Sequence, residues 1–145
     1  MFDGTLGHWH NEEYKLELKP NSTPYHAQAY PVPQVYEAQF QHKIDHLCEI
    51  GVLRKVNRSA WAAPCFIIPK KDGTVRFITD FRELNKCVKR KPFPIPKIQD
   101  LLLKLEGFQY ATSLDLNMGY YHIELSPFSR ELCTIVLPWG KYEYQ

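Results

Sequence analysis

Ile67-Ile68-Pro69-Lys70-Lys71-Asp72-Gly73-Thr74-Val75-Arg76-Phe77 is the stretch from which the fold can be read. Two β-rich runs, Cys65 to Pro69 and Val75 to Thr79, flank the five residues Lys70 to Thr74. An Asp-Gly pair between apolar runs is a strong signal for a β-hairpin. Side chains alternate along a strand, so Arg76, Ile78 and Asp80 share one face and Phe77 takes the other. Such a hairpin carries Lys70 and Lys71 at its tip and Arg76 on its arm, a set able to grip a polyphosphate. Lysine acts there as a point charge and arginine as a bidentate fork. Asp80, on the same face, is placed to orient Arg76. An ordinary charged hairpin satisfies the same pattern.

The charge distribution extends the reading outward. The 145 residues carry a net charge of only +2, which selects no partner. From Arg54 to Lys91, however, eleven Lys and Arg face three acids, a local net of +8 that leaves −6 for the remainder. A basic stretch inside a folded segment is a candidate footprint for phosphates, and equally a solvated face. With 44% hydrophobic residues the chain can build one core.

Upstream of the hairpin, Tyr14 to Leu18 alternates and predicts a short edge strand, and four prolines from Pro20 to Pro33 impose an extended path. Tyr36, Phe40, Ile44 and Leu47 recur at helical spacing, predicting a helix over 34–50 capped by Gly51. Val52 to Val56 reads as a short strand. Downstream, Asp80 to Asn85 leaves the hairpin, and Lys86 to Pro96 is a basic, proline-punctuated connection. Pro96 then opens a second helix to about Glu106, with Ile98, Leu101, Leu102 and Leu105 as its apolar stripe. Tyr110 to Leu116 reads as a strand, Cys133 to Leu137 as another, and Pro138 to Lys141 as a turn. Tyr142 to Gln145 begins a strand that the chain leaves unfinished.

Within Ser113-Leu114-Asp115-Leu116-Asn117-Met118-Gly119-Tyr120-Tyr121-His122-Ile123, a lone acid stands between two leucines. A carboxylate at a strand end suits a hard cation such as Mg²⁺, and the following backbone amides offer a place for a triphosphate. Water exposure at a sheet edge would also explain it. The four cysteines contain no Cys-x-x-Cys pair, so they read as reduced thiols of an intracellular protein. His42 and His46 fall on one helix face, but Cys48 does not join them, and both read as surface histidines. No apolar run approaches membrane-spanning length.

Taken in order, several motifs resemble one family. They are Ser59-Ala60-Trp61-Ala62-Ala63-Pro64, the hairpin from Ile67 to Phe77, and Asp80-Phe81-Arg82-Glu83-Leu84-Asn85. Pro92-Phe93-Pro94-Ile95-Pro96 and Ser113-Leu114-Asp115-Leu116 through Ile123 continue the series. From about residue 12 to the end, the chain is similar to the reverse transcriptases of gypsy-type LTR retrotransposons. The resemblance implies an α+β fold: the fingers and the first part of the palm of a right-hand polymerase, with antiparallel β-hairpins and two main helices. It implies an extended segment over 1–33, fingers over 34–95 and the start of the palm over 96–145.

By the same resemblance, Asp115 is the first catalytic carboxylate of an RNA-directed DNA polymerase, binding both of two Mg²⁺ ions, and the Leu116 carbonyl completes a metal shell. Met118, Gly119 and Tyr120 lie around the incoming deoxynucleoside triphosphate, with Tyr120 the aromatic gate against a ribose 2′-hydroxyl and Tyr121 its alternative. Lys70, or Lys71, and Arg76 hold the triphosphate. Asp80 and Arg82 are the supporting acid and a template-contacting arginine; Trp61 and Pro64 are structural. The implied partners are an RNA or DNA template-primer and, within a Pol polyprotein, protease, ribonuclease H and integrase domains. The implied location is the cytoplasm, in virus-like particles, or the nucleus. The departure is an absence: no Asp-Asp pair occurs in the sequence, so the expectation is a fragment inactive alone, with an exposed apolar palm edge. A non-catalytic nucleic-acid-binding remnant of a decayed or co-opted element is the alternative.

Overall fold

In a computed structural model that describes residues 5–9 and 12–145, one helix packs on a five-stranded sheet, and shorter helices close its flank. Helix α1 spans Gln34–Glu49. Its Phe40, Ile44 and Leu47 are fully buried, the stripe that a 3.6-residue period dictates. Gly51, at φ 78°, ends it. The Gly51 N–H donates to the Cys48 carbonyl at 3.1 Å and the Val52 N–H to the Leu47 carbonyl at 2.9 Å, a Schellman closure for which glycine is favoured.

Five strands follow: β1 (Leu53–Val56), β2 (Ala63–Pro69), β3 (Val75–Thr79), β4 (Thr134–Leu137) and β5 (Gly140–Tyr144). They lie in the order β1-β5-β4-β2-β3. All pairings are antiparallel except β2 with β4, which runs parallel with Ala63 opposite Ile135. Strand β4 is buried along its whole length, as a central apolar strand should be. The main core lies between α1 and the sheet, where the Phe40 ring sits 5.4 Å from both Phe77 and Trp139. A second core gathers Trp61, Leu84, Leu132 and Cys133 beneath helices α2 (Arg82–Cys87) and α4 (Pro127–Leu132). Between those two helices lies α3 (Ile98–Lys104), which has no buried residue. All four cysteines are free thiols. No helix among the described residues is long and apolar enough to cross a membrane.

The α+β class, α1, the hairpin and α3 agree with the sequence reading. Three expectations are corrected, and two helices are added. Residues 110–116 form no strand: every residue from 89 to 117 is exposed, and Leu114 is 87% exposed. A strand exists only through its neighbours, and none of the described residues pairs with this stretch. Tyr142 to Gln145 is not a poorly paired arm: β5 lies inside the sheet, paired to β4 on one side and to β1 on the other. Tyr14 to Leu18 makes only isolated bridges, Tyr14 to Leu125 and Leu18 to Val88. Helices α2 and α4 were not anticipated, although Ser126-Pro127 carries the start signal of α4, a proline in the first turn. The expected 1–33 segment includes residues 1–4, 10 and 11, which lie outside the described residues.

Where β1 meets β5, Arg54 stands opposite Glu143. Glu143 is 8% exposed and accepts from Arg54 Nε at 3.0 Å, from Arg54 Nη2, and from Gln145 Nε2 at 3.2 Å. Arg54→Ala leaves that carboxylate covered with one neutral donor. Because the arginine itself is largely solvated, we expect a loss of about 1–2 kcal/mol, less than for a fully buried pair. The urea unfolding midpoint measures it, and an unchanged midpoint would assign the pair no role in stability.

Candidate nucleotide and nucleic-acid site

The hairpin tip is built by local hydrogen bonds. The Gly73 N–H donates to the Lys70 carbonyl at 3.1 Å, and Gly73, at φ 80°, takes the left-handed conformation that closes such turns. The Asp72 carboxylate accepts from the Thr74 N–H at 3.0 Å and the Thr74 hydroxyl at 2.6 Å. Those bonds, then Lys70 nearby, hold its pKa below the ordinary value. The one acid of the tip is thus spent on the turn. Lys70, Lys71 and Arg76 are exposed and form no ion pair among the described residues.

Asp80 does not orient Arg76. Its carboxylate takes a two-pronged contact from Arg82, Nε to Oδ1 at 2.8 Å and Nη2 to Oδ2 at 2.6 Å, and accepts the Arg82 N–H at 3.1 Å. The Arg82 side chain is the main cause holding the Asp80 carboxyl down at about 2. Helix α2 begins at Arg82, and that turn brings the guanidinium back over Asp80, whereas Arg76 lies further out on β3. Pro64 and Trp61 are structural, as expected: the Pro64 carbonyl accepts the Asp80 N–H at 2.9 Å, and Trp61 is buried.

Two cavities separate the remaining residues. One, about 830 Å³, lies between α1 and the hairpin tip and is lined by Gln39, His42, Lys43, Lys70 and Asp72 among others. The other, about 840 Å³, lies between the N-terminal segment, the end of α1 and the end of β5; Tyr120, Tyr121, Phe81, Arg130 and Tyr144 are on its wall. Asp115 and Arg76 line neither, so the chain does not gather Asp115, Lys70, Arg76 and Tyr120 into one pocket. His46, read as a surface histidine, lies 3.9 Å from Glu49 Oε2.

Around Asp115 the backbone is irregular until a 3-10 turn at Gly119–His122. Met118 enters it in the left-handed region, φ 55°, and its carbonyl accepts the Tyr121 N–H at 2.9 Å. A side chain at 119 would meet Leu116 Cβ at 3.2 Å, so the glycine lets the turn close on Leu116. The turn presents Tyr120 to solvent, 93% exposed, and turns Tyr121 inward. Asp115 and Leu116 are exposed, and Asp115 has no hydrogen-bond or ionic partner among the described residues. No group of three His, Cys, Asp or Glu among them could hold a metal ion. The side chains present therefore do not by themselves fit a two-magnesium centre.

Thr79 and Tyr144 are not singled out by the sequence. The Tyr144 hydroxyl lies 3.0 Å from Thr79 Oγ1, to which Cys65 Sγ donates at 3.6 Å, and its ring stacks on Tyr121. Tyr121 was anticipated only as a substitute for Tyr120. The alternation Tyr142, Tyr144 hinted at a buried strand, but which ring each would meet depends on tertiary placement.

The fold recurs as part of solved reverse transcriptases. It matches the prototype foamy virus protease-reverse transcriptase (CSH mutant, selenomethionine-labelled) with a TM-score of 0.85 and 25% identity, over 98% of this chain and 19% of that one. A foamy viral protease-reverse transcriptase solved in complex with RNA/DNA hybrid shares the fold, at a TM-score of 0.78 and 20% identity, over 98% and 19%. The Transposon Tf2-3 and Tf2-4 polyproteins of Schizosaccharomyces pombe (strain 972 / ATCC 24843) are each 30% identical over 132 residues, 91% of this chain. The chain spans about a tenth of the length of these curated relatives. Residues 68–144, more than half of it, match the family model described as reverse transcriptase (RNA-dependent DNA polymerase). The chain belongs to the reverse transcriptase family.

Proposed function

We propose that this chain is the fingers and adjoining palm portion of an RNA-directed DNA polymerase from an LTR retrotransposon. The observation that carries the reading is the β2–β3 hairpin inside the family match: three cations, at its tip and on its arm, that form no ion pair among the described residues, beside a tip acid bound locally. Lys70 or Lys71 and Arg76 bind polyphosphate oxygens as the hairpin moves. Arg82, fixed by Asp80, contacts the template. Met118, Gly119 and Tyr120 flank the incoming deoxynucleoside triphosphate. Asp115 and the Leu116 carbonyl would hold magnesium only together with ligands that the described residues do not supply.

We further propose that residues 89–117, fully exposed here, pack on the rest of the palm. Because β4 and β5 share a sheet with β1 to β3, residues 123–145 then belong with the fingers, and the palm contribution narrows from 96–145 to about 96–122. Protease, ribonuclease H and integrase partners, and a cytoplasmic, particle-bound or nuclear location, follow from the retrotransposon reading.

RNA-templated primer extension by the protein of the full reading frame is the test. Extension with deoxynucleotides supports the reading, and template binding without extension favours the non-catalytic remnant. In that protein Tyr120→Ala should raise ribonucleotide incorporation about 10-fold or more, as expected when an excluding ring is removed. The ratio of kcat/KM for dCTP and CTP measures it, and an unchanged ratio would move the gate to Tyr121 or remove it.

A further inference from the structure

Three elements far apart in sequence meet behind Tyr120. Thr79 ends β3 at the base of the hairpin, Tyr144 ends β5 at the sheet centre, and Tyr121 belongs to the 3-10 turn that presents Tyr120. The Tyr144 hydroxyl lies 3.0 Å from Thr79 Oγ1. Thr79 is in turn held by its register partner Cys65, whose Sγ donates at 3.6 Å. The Tyr144 ring is stacked on Tyr121, centroids 6.2 Å apart and planes 28° apart, and is backed by Phe81 at 5.9 Å. Tyr121 is tied to Met118 by the 2.9 Å backbone bond that closes the turn. A chain of contacts therefore runs from the hairpin base through Tyr144 to Tyr121, the chain neighbour of Tyr120, and all three tyrosines line the same cavity. Burial pushes the Tyr144 phenol well above its usual range, so it stays protonated and available to this contact.

We propose that Tyr144 is a positioning residue for sugar discrimination: latched to Thr79 through its hydroxyl and to Tyr121 through its ring, it fixes where Tyr120 stands. This rests on the reading of Tyr120 as the gate. It gives the hairpin a means of acting on the gate, since two contacts link the base of β3 to Tyr121, the residue next to Tyr120. Tyr120 is too exposed to be held by its own packing, so its placement has to come from its inward-facing neighbour.

The test compares kcat/KM for dCTP and CTP in the full-reading-frame protein. Tyr144→Ala should lower the deoxy-to-ribo ratio by roughly 3- to 10-fold, the size of one lost aromatic contact. In Tyr120→Ala the same change should lower the ratio no further, because the gate it positions is gone. Should Tyr144→Ala not fold, Tyr144→Phe and Thr79→Val each remove one side of the latch with little change in volume. Each should lower the ratio by roughly 2-fold, and the pair together no more than either alone. A purely structural role would depress both sugars equally and leave the ratio at its original value, which overturns the proposal. If Tyr120→Ala lowers the ratio and neither Tyr144→Ala nor Tyr144→Phe does, the proposal falls and the gate stands. If Tyr120→Ala itself leaves the ratio unchanged, the gate reading falls and takes the proposal with it.

Discussion

Asp115→Asn should reduce RNA-templated primer extension by the full-reading-frame protein at least about 10³-fold, the loss typical of deleting an essential catalytic group. The substitution keeps the size and shape of the side chain and removes only its charge. Among the described residues that charge has no partner, and Asp115 is exposed in irregular backbone. Nothing in the packing described above depends on it. The 145-residue chain should therefore keep its stability within about 0.5 kcal/mol, as surface changes usually do. The two measurements together are decisive. Lost extension with an unchanged melting curve assigns Asp115 a chemical role, and retained extension removes it from the site.

Phe40→Ala has the opposite profile. Phe40 is wholly buried on α1, and its ring meets Phe77 of β3 and Trp139 of the β4–β5 turn, each at 5.4 Å. Truncating a buried phenylalanine costs roughly 3–5 kcal/mol. Against a total of about 5–15 kcal/mol for a domain, that loss leaves the chain near the edge of unfolding. A fall in Tm on the order of 10 °C or more is expected by circular dichroism. Leu102→Ala, on the uncovered α3, is the internal control and should shift Tm by little. A Phe40→Ala protein that melts with the parent would mean that α1 is not seated on the sheet.

The contrast between those residues also explains what could be read in advance. Phe40, Ile44 and Leu47 announce a helix because their spacing is set within one segment. Asp72-Gly73 announces a hairpin because the turn is made by its own residues, as the Thr74 bonds to Asp72 bear out. Tyr110 to Leu116 has the composition of a strand but not the neighbour, and no local pattern reveals a missing neighbour. The two-sided pairing of β5 was hidden for the converse reason: its second partner, β1, lies about ninety residues back, with Leu53 opposite Tyr144. In the candidate site, the residue types were legible and their companions were not. Asp80 selects Arg82 because helix α2 starts there, and Lys70 shares a groove with Lys43 because α1 crosses behind the hairpin. Both depend on how elements are stacked.

The position of β5 between β1 and β4 has a consequence for synthesis on the ribosome. The β2–β3 hairpin and α1 can each begin to form as they emerge, but among the described residues β1 has no strand neighbour until β5, from Lys141 on, has been made. Parallel pairing of β2 with β4 likewise waits on a loop of some seventy residues closing. A nascent chain stalled before residue 140 thus presents two bare strand borders at once, a state prone to wrong pairing with other chains.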